Sequence, residues 1–218
     1  MKRKIIVLIA AVILLAVALA GMWLDFRDKQ SLKWELEDEK LYEGFAWLST
    51  NTEEGETVLA WWDYADGVEQ IGQRNVVIQE ASRDIKETIA GRQEYPWSWI
   101  EYELWYHYES EDKVRDVANF FIAETSTESL SIARKYEADY VLVVYPYDIW
   151  KFSVIVLAAG KNPDEYLTGN FSMEQMESKA MVKKDTIGMD LIYGDEVEGF
   201  EKVFDNEHMR IYQILSEE

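Results

Sequence analysis

The hydropathy pattern begins with a basic patch, Met1-Lys2-Arg3-Lys4, and then an uninterrupted apolar run from Ile5 to Leu24. Its 20 residues are the length that a helix needs to cross a hydrocarbon core of about 30 Å. Basic residues ahead of the run and acidic ones behind it predict a cytoplasmic N-terminus and an extracytoplasmic body. A cleaved signal peptide ending at Ala18-Leu19-Ala20 is the competing reading, but apolar residues continue through Met22-Trp23-Leu24, which favours an uncleaved anchor. From Asp25 to Thr50 the chain is charged yet helical in period, with Trp34, Leu41, Phe45 and Leu48 on one stripe and Glu35 to Glu39 on the solvated face. Glu54-Gly55 ends that pattern.

Beyond it the period shortens. Thr57-Val58-Leu59-Ala60 reads as a short buried strand, Trp61-Trp62-Asp63-Tyr64 follows, and Asp66-Gly67 is a turn. Asn75 to Ile78 predicts a second strand and Arg83 to Ala90 a short helix. The stretch from Tyr95 to Tyr106 is dense in aromatics and reads either as a core layer or as a surface that contacts sugar or peptide. Val114, Val117, Ala118, Phe121 and Ile122 predict an amphipathic helix from about Glu111 to Glu124. Thr125, with Glu128 three residues on, predicts a capped helix through Tyr136. Asp139 to Tyr145 is an apolar run of the kind that buried parallel strands use. The expected fold is therefore a mixed α/β (α+β) globular domain with a small buried sheet flanked by helices, preceded by one transmembrane helix. Its divisions are a tail over 1–4, an anchor over 5–24, a juxtamembrane helix over 25–40 and the globular domain over 41–218.

Composition narrows the function. With 218 residues, 48% apolar content and 14% aromatic content, the chain can bury a substantial single core. A formal charge of −20 repels phosphate backbones and argues against a nucleic-acid partner. Cysteine is absent, so disulfides, thiol nucleophiles and thiolate metal sites are excluded. His107 and His208 are the two histidines, too few for a histidine-rich metal cluster, and no catalytic residue and no metal ligand is assigned to the chain.

Chemistry concentrates in two places. Asp63, an acid between large aromatics at a strand end, is tolerated only if hydrogen-bond donors satisfy it, and a ligand hydroxyl or amide is one such donor. After the third strand comes Asp148-Ile149-Trp150-Lys151-Phe152-Ser153-Val154-Ile155. On a helix, Asp148, Lys151 and Ile155 fall on one face. That acid, base and branched apolar group together suit a threonine side chain, with its hydroxyl and methyl. The plainer reading is a local Asp–Lys ion pair of small energy.

Trp61-Trp62-Asp63-Tyr64 resembles the first four positions of the Trp-Trp-Asp-Tyr-Gly signature of oligosaccharyltransferase catalytic subunits, with Ala65 in place of the glycine. Asp148-x-x-Lys151-x-x-x-Ile155 resembles the Asp-x-x-Lys-x-x-x-Met/Ile motif of the archaeal-type enzymes, in the same order along the chain. Phe200 to Phe204 and Arg210 to Leu215, joined at Asn206-Glu207, resemble the closing strand pair of that globular domain. The resemblance covers roughly residues 40 to 215. It implies that Trp61, Trp62 and Asp63 bind the Ser/Thr hydroxyl of an Asn-x-Ser/Thr acceptor and that Ile155 touches the threonine methyl. Lys151 would assist, Asp148 would orient Lys151, and Tyr64 would support the wall.

Catalysis in that family depends on acids and a divalent metal in a multi-helix membrane portion, for which this chain has no counterpart. No cofactor is expected in this chain, and a divalent metal only in a catalytic membrane partner. The expected partners are an acceptor polypeptide, a membrane oligosaccharyltransferase subunit and the membrane itself. Three roles stay open: an accessory, a split subunit, or an extracytoplasmic scaffold that reuses the fold without reading sequons. A sequon of its own, Asn170-Phe171-Ser172, is a weak candidate for glycosylation.

Overall fold

The computed structural model describes residues 12–17, 19–20, 37–90 and 106–215. Two compact units divide at Glu39 and Lys40. In the first, 12–17 and 19–20 are helical, with exposed Val12, Ile13, Leu14, Leu15, Val17 and Leu19. Among the described residues no helix is long and apolar enough to cross a membrane. Most of the expected anchor over 5–24, most of the helix over 25–40 including Trp34, and Tyr95 to Trp105 of the aromatic stretch lie outside the described residues.

The second unit holds one five-stranded sheet, and its elements follow the apolar periods closely. Helix α1 (Glu39–Asn51) buries Leu41, Phe45 and Leu48, the stripe read from the sequence. Strand β1 (Thr57–Leu59) leads to a 3₁₀ turn at Trp62–Tyr64 and a π-type turn at Gly67–Ile71. Strand β2 (Asn75–Val76) is shorter than the apolar run that predicts it: the Val77 N–H still donates to the Val58 carbonyl at 3.0 Å, and Val77 and Ile78 stay buried beyond the strand's end. Helix α2 (Arg83–Ala90), α3 (Glu111–Ile122) and α4 (Ser126–Lys135) follow. The Thr125 side chain accepts from the Glu128 N–H, the cap expected there. Strand β3 (Tyr140–Val144) is buried at all five positions. After it come α5 (Tyr147–Ala158), α6 (Met173–Glu177) and α7 (Ile187–Tyr193), then β4 (Phe200–Asp205) and β5 (Met209–Ile214).

The strand order is β2-β1-β3-β5-β4. β2, β1 and β3 run parallel, whereas β5 lies antiparallel to β3 and to β4. β3 lies at the centre of the order, which explains its continuous apolar run. The β4–β5 hairpin turns through Asn206, whose side-chain oxygen accepts from the Met209 N–H at 2.8 Å. A bulge between Lys202 and Phe204 kinks the outer strand.

Two close contacts fix how the site-bearing segment sits on α1. Gly67 lies against Phe45, and a Cβ there would stand 2.4 Å from the ring. Arg74 is buried and donates to the Ser49 and Thr52 carbonyls at 3.3 and 2.5 Å, so its charge meets the C-terminal end of α1.

Candidate functional site

β1 and β3 are parallel neighbours, so both chains leave the sheet at the same edge. That edge is where α/β sheets commonly place ligands. From β1 the chain passes through Ala60 and extended Trp61 into the 3₁₀ turn, which the Tyr64 N–H closes on the Trp61 carbonyl at 3.1 Å. Ala65 has φ −57° and ψ −47°, an ordinary right-handed helical residue, so its backbone makes no demand that only glycine could meet. From β3 the chain passes through Tyr145-Pro146, joined by a cis peptide bond, into α5. Asp148 sits in the first turn of that helix.

The two motifs meet through hydrogen bonds. The Tyr64 hydroxyl donates to Asp148 Oδ1 at 2.6 Å, and the Val144 N–H donates to Asp148 Oδ2 at 2.7 Å. Lys151 Nζ pairs with Asp63 Oδ2 at 3.1 Å and donates to the Tyr64 hydroxyl at 3.5 Å. It also stands 4.6 Å from the centre of the Tyr64 ring. Asp148 therefore acts on Lys151 through Tyr64, whose ring is wholly buried between them. Burial pushes the Asp148 carboxyl up to about 6, with the Asp63 charge adding to the rise. The Lys151 charge and the bonds from Tyr64 and Val144 hold it down. Burial, then the Asp148 charge, pushes the Tyr64 hydroxyl well above its ordinary value.

A cleft of about 330 Å³ opens beside this network, lined by Trp61, Trp62, Asp63, Ala81, Lys86, Ile89, Lys151 and Val154. Trp61 and Trp62 stack with ring centres 4.0 Å apart, and Phe121 braces Trp61 edge-on at 6.4 Å. The Trp61 side chain is buried, and its indole N–H finds no acceptor among the described residues. An unpaired buried donor costs about 1–3 kcal/mol. Trp61 lines the cleft, but its indole nitrogen is itself shielded, so a ligand oxygen reaches it only when the neighbouring side chains shift.

Of the residues read from the sequence, Trp61, Trp62, Asp63 and Lys151 line the cleft. Tyr64 and Asp148 lie behind it and link its walls. Ile155 is 1% exposed and packs in the core, and Val154, one position earlier on α5, supplies the apolar wall. Lys86 and Ile89, three apart on α2, complete the lining and belong to no motif. The sequon lies elsewhere, with Asn170 exposed and the Ser172 hydroxyl accepting from the Gln175 N–H at 3.2 Å as the cap of α6. Among the described residues no group of three acids or histidines is placed to hold a metal ion.

No protein-family model matches the sequence, and no curated protein matches it. Solved structures do. The C-terminal globular domain of an oligosaccharyltransferase from Archaeoglobus fulgidus superposes with a TM-score of 0.53 at 16% identity, covering 82% of this chain and 98% of that one. A second C-terminal globular domain from the same organism gives a TM-score of 0.45 at 17% identity, covering 83% and 98%. The A. fulgidus oligosaccharyltransferase tethered with an acceptor peptide gives 0.41 at 16% identity, covering 61% of this chain and 16% of that one. With TM-scores below 0.5, the last two add nothing to the first. The chain thus has the fold of the C-terminal globular domain of archaeal oligosaccharyltransferase.

Proposed function

We propose that this chain is a membrane-anchored, extracytoplasmic module that binds Asn-x-Ser/Thr acceptor segments in protein N-glycosylation. It acts as an accessory or split subunit beside a separate membrane oligosaccharyltransferase subunit, and does not catalyse transfer alone. The observation that carries the reading is the cleft itself. It brings together a buried indole N–H with no acceptor among the described residues, a carboxylate–lysine pair and an apolar wall at the carboxyl ends of β1 and β3. A hydroxyl suits that set, because its proton goes to Asp63 and its oxygen accepts from the Trp61 indole once a shift of the stacked tryptophans uncovers that nitrogen. Val154 offers an apolar surface for the threonine methyl. The fold shared with an oligosaccharyltransferase globular domain supports the same reading.

In this scheme Lys151 holds the Asp63 carboxylate in place, and Tyr64 and Asp148 hold Lys151. Polar groups left unpaired by a ligand without the hydroxyl make such a pocket selective. The test uses the full chain in detergent with fluorescent Asn-x-Thr, Asn-x-Val and Asn-x-Ala peptides. Binding about tenfold tighter for threonine than for its isostere valine is expected, the value of about one well-made hydrogen bond. Asp63→Ala should erase the difference. Equal affinity for all three peptides would contradict the proposal.

A further inference from the structure

We infer that a second groove, where α3, α4 and the segment after α5 meet, is a carbohydrate site that takes a neutral saccharide through its hydroxyls. It shares no lining residue with the tryptophan cleft, and the inference stands whether or not that cleft reads sequons. The groove encloses about 630 Å³, within the usual size of a small-molecule site. Its walls are fixed. The Ser129 hydroxyl donates to the Phe120 carbonyl at 3.3 Å and ties α4 to α3. The Lys183 N–H donates to the Tyr166 carbonyl and the Thr168 N–H to the Met181 carbonyl, both at 2.8 Å, which clips down the segment after α5. Tyr166 is 4% exposed, and the Lys184 ammonium stands 4.9 Å from its ring centre and 2.7 Å from Glu124 Oε1. A ligand therefore meets a preformed surface.

The polar side chains of the lining decide the ligand class. The Asn119 amide, the Thr127 and Ser131 hydroxyls, the Glu128 carboxylate and the Lys161 ammonium all face the groove and bond no other described residue. Thr127, Glu128 and Ser131 fall on one face of α4. An apolar ligand would strip water from these groups and leave them unpaired. A phosphate or other anion would meet two carboxylates, Glu124 and Glu128, on a molecule of formal charge −20. A sugar suits the set, because each of its hydroxyls both donates and accepts. The two oxygens of Glu128 match a neighbouring pair of hydroxyls, the Asn119 amide offers one donor group and one acceptor, and Lys161 donates to a ring or hydroxyl oxygen. Ile132, half-buried beside them, takes a C–H face of the ring. A peptide backbone offers one N–H per residue and no such hydroxyl pair, which makes it the poorer fit.

The sugar has two sources: a glycan on another molecule, or one on the chain's own Asn170, which is exposed four residues after Tyr166. The experiment titrates the full chain, in a detergent without a sugar headgroup, with the methyl glycosides of mannose, glucose, galactose and N-acetylglucosamine, with glycerol as the control. Saturation-transfer NMR reads the binding. Saturable binding of at least one sugar, and none of glycerol, is expected. Glu128→Ala and Ser131→Trp, both at exposed positions of α4, should each weaken it about tenfold, the value of one charge-assisted hydrogen bond or of a filled groove. Asp63→Ala, in the other cleft, should leave it unchanged. Protein from a host that glycosylates Asn170 should bind added sugar less well than Asn170→Gln if its own glycan fills the groove. Equal binding would assign the site to a glycan on another molecule. No sugar binding above the glycerol control in Asn170→Gln would overturn the inference. Sugar binding that survives Glu128→Ala and Ser131→Trp, or that Asp63→Ala abolishes, would place the sugar elsewhere and overturn it too. An unglycosylated Asn-x-Thr peptide bound in a Glu128-dependent way, with no sugar bound, would make the groove a peptide site and overturn it as well.

Discussion

Asp148→Asn should make the protein more stable at neutral pH while weakening its cleft. The Asp148 carboxyl is 2% exposed, and burial raises it from the usual range near 3.8 to about 6. Below pH 4 both the folded and unfolded chains carry this proton. As pH rises from about 4 to about 6, the unfolded chain releases it first, so the folded state is the one that binds more protons. Stability therefore falls through that window and levels off above it. About two pH units at about 1.4 kcal/mol each gives a loss of about 3 kcal/mol. Asparagine has the shape of the protonated acid and cannot ionise, so it lacks this loss. The variant should match the parent within about 1 kcal/mol near pH 4 and exceed it by about 3 kcal/mol at pH 7.

Denaturant unfolding of the two proteins at both pH values measures this, since the other carboxylates titrate in each and cancel in the difference. The functional cost comes from Tyr64. The asparagine amide nitrogen competes with the Tyr64 hydroxyl for donor roles, and Lys151 loses a fixed neighbour. A variant less stable than the parent at pH 7, with a pH-independent difference, would refute the reasoning. It would mean that the two bonds accepted by the carboxylate outweigh its desolvation.

Other substitutions follow from the same contacts. Tyr64→Phe removes the 2.6 Å donor to buried Asp148 and should cost about 1–3 kcal/mol at pH 7. It should also move the sloping window upward, because the lost bond favoured the ionised form; unfolding against pH reads both. Arg74→Met leaves the Ser49 and Thr52 carbonyls at the end of α1 without their buried donor. A loss of about 3 kcal/mol in unfolding free energy is expected, and a loss under 1 would show that water replaces the guanidinium. Gly188→Ala would place a Cβ 2.5 Å from the Phe121 carbonyl oxygen, so a loss of about 1–3 kcal/mol is expected in thermal unfolding. An unchanged midpoint would mean that α7 shifts freely against α3.

Much of this fold was legible because each element carries a strong local signal. Leu41, Phe45 and Leu48 spell the buried stripe of α1, and the apolar run of β3 fits a central strand. The Thr125 cap likewise announces α4 within a residue. The site was legible only in its contiguous part. Trp61, Trp62 and Asp63 stand together in the chain, but the Asp63–Lys151 pair and the bond from Tyr64 to Asp148 join residues 88 and 84 apart, which local spacing does not show. Helical spacing put Asp148 beside Lys151, whereas the fold inserts Tyr64 between them. The same spacing offered Ile155, yet the turn of α5 that faces the cleft presents Val154. Lys86 and Ile89 were invisible because an eight-residue helix of mixed polarity has no motif, and only tertiary packing brings it to the tryptophans. The mixed sheet has the same origin, since strand direction is set by the connections rather than by composition.

The Trp61 indole N–H offers the most direct test of ligand capture. In a two-dimensional NMR titration of the full chain in micelles, its proton signal should move downfield with an Asn-x-Thr peptide, as a hydroxyl oxygen reaches a donor that otherwise has no acceptor among the described residues. It should stay still with Asn-x-Val, and Asp63→Ala should suppress the movement. An indole signal that ignores the threonine peptide, or moves equally for valine, would contradict sequon binding in this cleft.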